Sequence, residues 1–465
     1  MKYRSKIILK NKLIYFKIFY LIIYIIFIRI YILMIYYNNK NKIYFSYIKY
    51  NIFKRLKDKK LLKNIKLGIH IISLENGGRE RLTALLINYL STENIFDIYL
   101  FTDKDRSQNE YNIPDNIYRI KIFGIEDLKN KLIINNINIF IYQDYDTQSI
   151  KMLNELENVK TIFLNHSCFL IWIYDKEFLL IKNLYNLYKN SKYIISLIPF
   201  ENDYLFKKWE IKSILMNNFI TYNYDTITPS DLSSKTIIMI GRANDPNKRF
   251  SLGIKAMKYI LEEVPDCKMI IISDLYQTDN LINLVKELDL ENNIKFVGYT
   301  LKPEEYYKNA SLHIFPSINE CFPMVLSEAK IYGIPSIITG IDYISTAKGG
   351  VININDDSPK TMAKEAIKIL NNTSYRIKLG IMARKSMKQY NNKLTLKKWV
   401  ELLLAVYNGD YYYNKLRKEG KKLPEKEAIN LLEGQLKIMK KRIEKMPNIS
   451  LNDFFNLNVI EKFTQ

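Results

Sequence analysis

From residue 67 to about residue 390, short β-branched runs alternate with helical stretches, and the alternation starts afresh at 235. A chain patterned this way builds parallel sheets: each parallel strand needs a crossover, and both sheet faces must then be covered by helices. In the first series LGIHIISL (67–74), IFDIYLFT, YRIKIF, INIFIYQ, TIFLNHS, YIISLIPF and ILMNNFI (214–220) read as strands. TYNYDTITPSDLSS (221–234) is polar, contains proline and reads as a linker. The second series runs KTIIMIGR, helix 249–263, CKMIIISD, helix 278–289, NIKFVGY, helix 303–309, LHIFPS, helix 324–333 and PSIIT, closed by helices at 359–371 and 376–388. The expected fold class is α/β, two doubly wound parallel-sheet, Rossmann-like domains facing across a cleft: 67–234, linker included, and 235–390. Ligands of such sheets sit beyond the carboxyl ends of the strands.

The remaining segments are an amphipathic helix at 394–407, within a crossover segment 391–409, and a helical tail 410–465. The tail's charged helix, at about 425–446, either forms a short coiled coil or packs on the body.

The formal net charge of +22 invites a nucleic-acid or membrane reading, but its position decides. Residues 1–66 hold 17 of the 70 Lys+Arg and one of the 48 Asp+Glu, so +16 of the +22 lies there. The rest of the chain is ordinarily balanced, which argues against a nucleic-acid partner. Within that segment, IFYLIIYIIFIRIYILMIYY (18–37) is long enough to cross a bilayer, and basic runs flank it on both sides. It either spans the membrane, lies along its surface, or precedes a start at Met34. The heavier basic flank follows it, which places the domains on the cytoplasmic side of a membrane-associated protein. Cys168, Cys267 and Cys321 lack metal-ligand spacing and, with only three histidines, imply neither a disulfide framework nor a metal site.

Two stretches carry the chemistry. In SINECFPMVLSEAKIYGIPSI (317–337), Glu320 lies in the turn after a strand and Glu328 on the helix behind it. Pro323 suits a helix start and Gly333 a helix stop. Backbone N–H groups around Phe322, Pro323, Met324 and Val325 then suit a diphosphate, and each carboxylate suits paired hydroxyls of a sugar or ribose. In IGRANDPNKRF (240–250), Arg242 and Lys248 supply the cations that a departing diphosphate needs. Singly, each of these residues is as readily a solvated loop or cap residue.

Together, GRANDPNKRF, FVGY and IFPSINECFPMVLSEAKIYGIPSI resemble the nucleotide-sugar domain of the retaining glycosyltransferases of family 4, which have the GT-B fold; the resemblance spans roughly 235–370. More faintly, IHIISLENGGRERLTALLINYL resembles the first strand, glycine loop and helix of that family. The resemblance implies a hexosyltransferase-like, metal-independent enzyme that uses a UDP- or GDP-type sugar and needs no cofactor. It implies that Arg242 and Lys248 hold the donor diphosphate, Glu320 meets the transferred sugar and Glu328 the ribose. Gly77 and Gly78 would let the backbone approach the donor phosphate, and His166 would bind the sugar or orient the acceptor. With the apolar, basic N-terminus, it suggests a glycan or lipid-linked acceptor at the membrane in bacterial surface-polysaccharide synthesis. The alternative is a catalytically silent GT-B-like scaffold that recruits partners to the membrane.

Overall fold

The first series of runs forms seven strands: β1 (Ile65–Ile71), β2 (Phe96–Thr102), β3 (Tyr118–Lys121), β4 (Ile139–Tyr142), β5 (Lys160–Leu164), β6 (Tyr193–Ser196) and β7 (Ser213–Leu215). They make one parallel sheet ordered β3-β2-β1-β4-β5-β6-β7. The second series gives β8 (Thr236–Ile240), β9 (Lys268–Ile272), β10 (Ile294–Val297), β11 (Leu312–Phe315), β12 (Ser336–Thr339) and β13 (Val351–Ile354), parallel and ordered β10-β9-β8-β11-β12-β13. This computed structural model describes residues 65–458 apart from 76, 145, 171–177, 301, 420–421, 444–445, 447 and 457. The predicted membrane segment at 18–37 lies outside the described residues, among which no helix is long and apolar enough to cross a membrane.

Strand order reverses between β1 and β4 in the first lobe and between β8 and β11 in the second. At these switch points adjacent crossovers diverge to opposite faces and leave a crevice at the carboxyl ends. Gly68 of β1 makes room for two aromatic rings from the neighbouring strands: a Cβ there would lie 2.9 Å from the Phe140 ring and 3.0 Å from the Phe101 ring. The first lobe's helices are α1 (Gly78–Leu90), α2 (Ile125–Ile134), α3 (Thr147–Asn154) and α4 (Phe178–Asn190). The second lobe has α5 (Phe250–Glu263), α6 (Asp279–Glu287), α7 (Glu304–Lys308), α8 (Met324–Ile331), α9 (Pro359–Asn371) and α10 (Thr373–Met387). Its core has two apolar clusters: in one, Ile254, Met257 and Ile260 of α5 meet Met362, Ala366 and Ile369 of α9 beside the strand residues Ile237, Met269 and Ile314; the other gathers Ile238, Tyr307, Ala329 and Tyr332.

One expectation is modified. The run 214–220 is a strand only to Leu215; beyond it the Ile220 N–H is taken by the Asn392 side chain (2.9 Å) instead of by a neighbouring strand. The polar stretch 221–234 connects the two sheets, partly exposed and anchored near its end. Ser230 and Leu232 are buried, the Ser230 hydroxyl donates to Ala310 O (2.7 Å), and the buried Arg376 guanidinium donates to Leu232 O (2.9 Å).

The chain after α10 ties the lobes together. Helix α11 (Asn392–Asn408) crosses to the first lobe, where Asn392 donates to Tyr89 OH (2.6 Å) and Lys160 donates to Tyr407 O (2.5 Å). In α12 (Asp410–Glu419) the Tyr413 hydroxyl accepts from Ile194 N–H (3.1 Å) and donates to Lys212 O (3.0 Å). Helix α13 (Glu425–Arg442) returns to the second lobe: Gln435 donates to Gly340 O (2.7 Å) and Arg442 pairs with Asp357 (2.8 Å). Of the two arrangements open for this helix, it takes packing on the body.

Candidate functional site

The second lobe's switch point joins two loops, one after β8 and one after β11. Asp245 caps the turn Pro246–Lys248 by accepting from Asn247 N–H (3.0 Å), and Ile318 N–H donates to Asn247 O (2.9 Å), which stitches the loops together. Arg249 then starts α5 in the left-handed region (φ 46°). Its guanidinium donates to Pro316 O (2.8 Å) and pairs with Asp357 (2.5 Å). This anchoring sets Lys248, whose Nζ lies 2.5 Å from Glu320 Oε1 and 5.7 Å above the Phe315 ring. Tyr343 supports the turn: its hydroxyl accepts from Glu320 N–H (3.1 Å) and donates to Asn319 Oδ1 (2.6 Å). Arg242 stands apart, 68% exposed and paired with Asp245 at 3.2 Å.

Behind Glu320, Pro323 is the N-cap of α8. Having no N–H of its own, it leaves the amides of Met324 and Val325 as donors at that helix end. The side chains of Phe322 and Met324 are buried in an apolar cluster with Leu82 of α1, Ile220 and Tyr390, so α1 and α8 pack against each other across the crevice. Glu328 is 1% exposed rather than a surface charge. Its Oε1 accepts from Thr221 (2.6 Å) and pairs with Arg81 Nη1 (2.9 Å), while its Oε2 accepts from Tyr307 OH (2.9 Å).

On the first-lobe side, Gly77 is the N-cap of α1 with φ −165°, an extended value open to any residue, and Gly78 begins the helix. Left-handed backbone therefore does not explain the pair. Around Gly78 there is open space, with no atom within 4 Å of an added Cβ, whereas an added Cβ on Gly77 would strike the Glu80 carboxylate. His166, after β5, has Nε2 2.6 Å from Gln143 Oε1, and Gln143 in turn donates to His70 O (2.8 Å). Burial, helped by the Arg79 charge, pushes the His166 pKa down to about 3, so the ring is neutral and serves as a hydrogen-bonding group.

Sequence reasoning missed a charged cluster beside it. His70, buried near the end of β1, lies 2.9 Å from Asp103 and 3.1 Å from Asp144, and Asp144 also pairs with Arg79 (2.6 Å). Burial alone would lower the His70 pKa; the hydrogen bonds to the two aspartates outweigh it and raise the value. The available signal was positional: both aspartates immediately follow strand runs (LFTD and IYQD), where ligands of such sheets collect.

Cys168, near His166, and Cys321, next to Glu320, share a neighbour: burial, helped by the Glu201 carboxyl, raises the pKa of both thiols. Glu201 is buried and accepts from Phe169 N–H (2.5 Å); burial pushes its pKa up to about 7. The folded state therefore holds a proton that the unfolded chain has lost between about pH 4.5 and 7. That stabilising contribution is complete below this window and disappears as pH rises through it. Glu201→Gln is expected to flatten the decline, gaining on the wild type toward pH 8 by an amount of order 3 kcal/mol. Thermal unfolding midpoints between pH 5 and 8 check this; parallel curves for the two proteins contradict it.

The arrangement is thus two facing Rossmann-like lobes with a Lys–Glu pair and a helix start at one switch point and a glycine helix start at the other. Residues 223–386 match the family model of glycosyl transferases group 1. The match marks that part of the chain as a domain of the group 1 glycosyltransferase kind, set in a two-lobed arrangement of GT-B type. Among curated relatives, an uncharacterized glycosyltransferase of Haemophilus influenzae is 24% identical, covering 42% of this chain and 57% of that protein. N-acetylgalactosamine-N,N'-diacetylbacillosaminyl-diphospho-undecaprenol 4-alpha-N-acetylgalactosaminyltransferase of Campylobacter jejuni is 26% identical, covering 57% of this chain and 78% of that protein. The chain thus spans little more than half the length of the first and about three quarters of the second. Among solved structures, sucrose-phosphate synthase of Thermosynechococcus elongatus superimposes with a TM-score of 0.63 at 14% identity, covering 74% of this chain and 99% of that one, which is a likeness of fold.

Proposed function

We propose that the protein transfers a sugar from a nucleotide-diphosphate sugar, of UDP or GDP type, to a glycan acceptor with retention at the anomeric carbon. The observation that carries this is the Lys248–Glu320 pair at the switch point of the lobe matched by the family model, beside the free start of α8. A bound diphosphate takes over Lys248 from Glu320 and accepts the amides of Met324 and Val325, while Arg242 joins it by leaving its exposed pair with Asp245, worth under about 1 kcal/mol. The freed Glu320 carboxylate accepts from sugar hydroxyls, and Glu328 accepts from the ribose. The bond from the anomeric carbon to the phosphate oxygen breaks, the acceptor oxygen bonds to that carbon, and the acceptor proton passes to the departing diphosphate. Gly78 leaves room at the α1 helix start for the donor, and neutral His166 positions sugar or acceptor through a hydrogen bond. The charge chemistry is supplied by side chains and amides, with no metal or cofactor invoked.

The acceptor reading is a lipid-linked glycan in cell-surface polysaccharide synthesis, with the domains on the cytoplasmic face. It draws on the apolar, basic segment at 1–66 and on the diphospho-undecaprenol acceptor in the name of the Campylobacter relative. The test uses purified full-length protein and a panel of UDP- and GDP-sugars. A donor at a hundred times its Kd adds about 2.7 kcal/mol to stability and raises the unfolding temperature. Transfer to a polyprenyl-diphosphate glycan with the donor's anomeric configuration is the expected result. A panel that gives neither a thermal shift nor transfer overturns the reading, and an inverted product overturns the retaining mechanism.

A further inference from the structure

Glu328 has partners that no local sequence pattern supplies. Arg81 belongs to the first turn of α1 in the first lobe, whereas Glu328 is on α8 of the second, and their 2.9 Å ion pair bridges the crevice. Beside it Tyr222 packs edge-on to Tyr307, with ring centroids 6.4 Å apart, and Tyr111 hydrogen-bonds Tyr299 from the other lobe. The carboxylate is nearly saturated. Thr221 and Arg81 share Oε1, Tyr307 holds Oε2, and a carboxylate offers about four lone-pair positions. Thr221 and Tyr307 belong to the linker and the second lobe and stay with Glu328 when the lobes part. Arg81 alone among these three arrives from across the crevice.

We propose that Arg81 is an intramolecular stand-in for the donor's ribose: in the donor-free protein it occupies Glu328 and latches the lobes, and the nucleoside must exchange with it to bind. This rests on the reading above that Glu328 receives the ribose. A vicinal diol donates two hydrogen bonds to one carboxylate and so competes for the position that Arg81 holds. Apparent donor affinity is then the intrinsic affinity reduced by the fraction of molecules with Arg81 displaced. The displaced guanidinium stays at the crevice wall beside the incoming diphosphate, so nucleotide entry and movement of the first lobe are one coupled event. Arg81 is a positioning residue and takes no part in bond making.

The experiment measures UDP and GDP binding by calorimetry, ligand-free unfolding temperature and donor steady-state kinetics for full-length wild type, Arg81→Gln and Arg81→Lys. The latch predicts effects of opposite sign. Arg81→Gln melts lower than the wild type without ligand yet binds the nucleotide at least about tenfold more tightly, with donor KM lowered and kcat not raised. Arg81→Lys, which keeps one charged contact, falls between the two and carries the test if the glutamine variant does not fold. Nucleotide binding that is unchanged or weakened in these variants, with wild-type binding intact, overturns the latch and leaves the donor assignment standing. If no nucleotide binds to wild type or to either variant, the donor assignment falls and the latch with it.

Discussion

Replacing Lys248 by alanine is expected to lower kcat/KM for the nucleotide sugar by about a thousandfold. Two losses combine. The ammonium is the cation seated directly at the second switch point, and removing one preorganised charge partner of a developing anion costs roughly 10²–10³ in rate. The variant also strands Glu320, whose side chain is only 12% exposed, without the ammonium 2.5 Å away. A carboxylate left in place without its cation repels a diphosphate bound as proposed beside it. Lys248→Arg keeps the charge and is expected to recover part of the loss. The double variant Lys248→Ala/Glu320→Ala should lose less than the product of the two single losses, because the stranded charge is gone. Steady-state kinetics across this four-member cycle give the measurement. A Lys248→Ala enzyme within tenfold of wild type removes Lys248 from the site.

Gly350→Ala is expected to cost about 4 kcal/mol or more and to lower the melting temperature of the second lobe by roughly 10 °C. Gly350 sits at φ +67°, just before β13, where α10 crosses it. A Cβ there would lie 2.3 Å from Leu379 O and 2.5 Å from both the nitrogen and the Cβ of Ala383. These are backbone or near-backbone atoms of a helix that carries the buried residues Leu379, Ala383 and Met387, so relief requires shifting the whole of α10. Gly78→Ala is the contrasting case, since nothing lies within 4 Å of its added Cβ, and its unfolding midpoint should stay within a degree or two of wild type. Calorimetric scans of the two variants check both statements, and a Gly350→Ala protein as stable as Gly78→Ala contradicts the packing described.

Much of the fold was legible because it is encoded locally. Runs such as KTIIMI and CKMIIIS, short and rich in β-branched residues, suit a sheet buried on both faces, and NECFP and NDPNKRF carry the turn and cap chemistry that starts a helix at a strand's carboxyl end. Lys248 and Glu320 were legible for the same reason: adjacent strands β8 and β11 bring the two loops together once the doubly wound order is granted. Boundaries shifted where tertiary partners outbid the pattern, as at Ile220, whose N–H pairs with Asn392.

The amino-acid order by itself therefore determined the elements, the two-lobed class and the loops that carry charge, since periodicity and turn chemistry act within a few residues. Only the tertiary structure decided that Glu328 is buried on Arg81, that His70 lies between two aspartates, and that α13 packs on the second lobe through Gln435 instead of pairing as a coiled coil. Each of these joins residues far apart in the chain, and which charge meets which depends on how whole lobes and helices dock. Docking is settled by the summed burial of many side chains, and no short stretch of sequence records that sum.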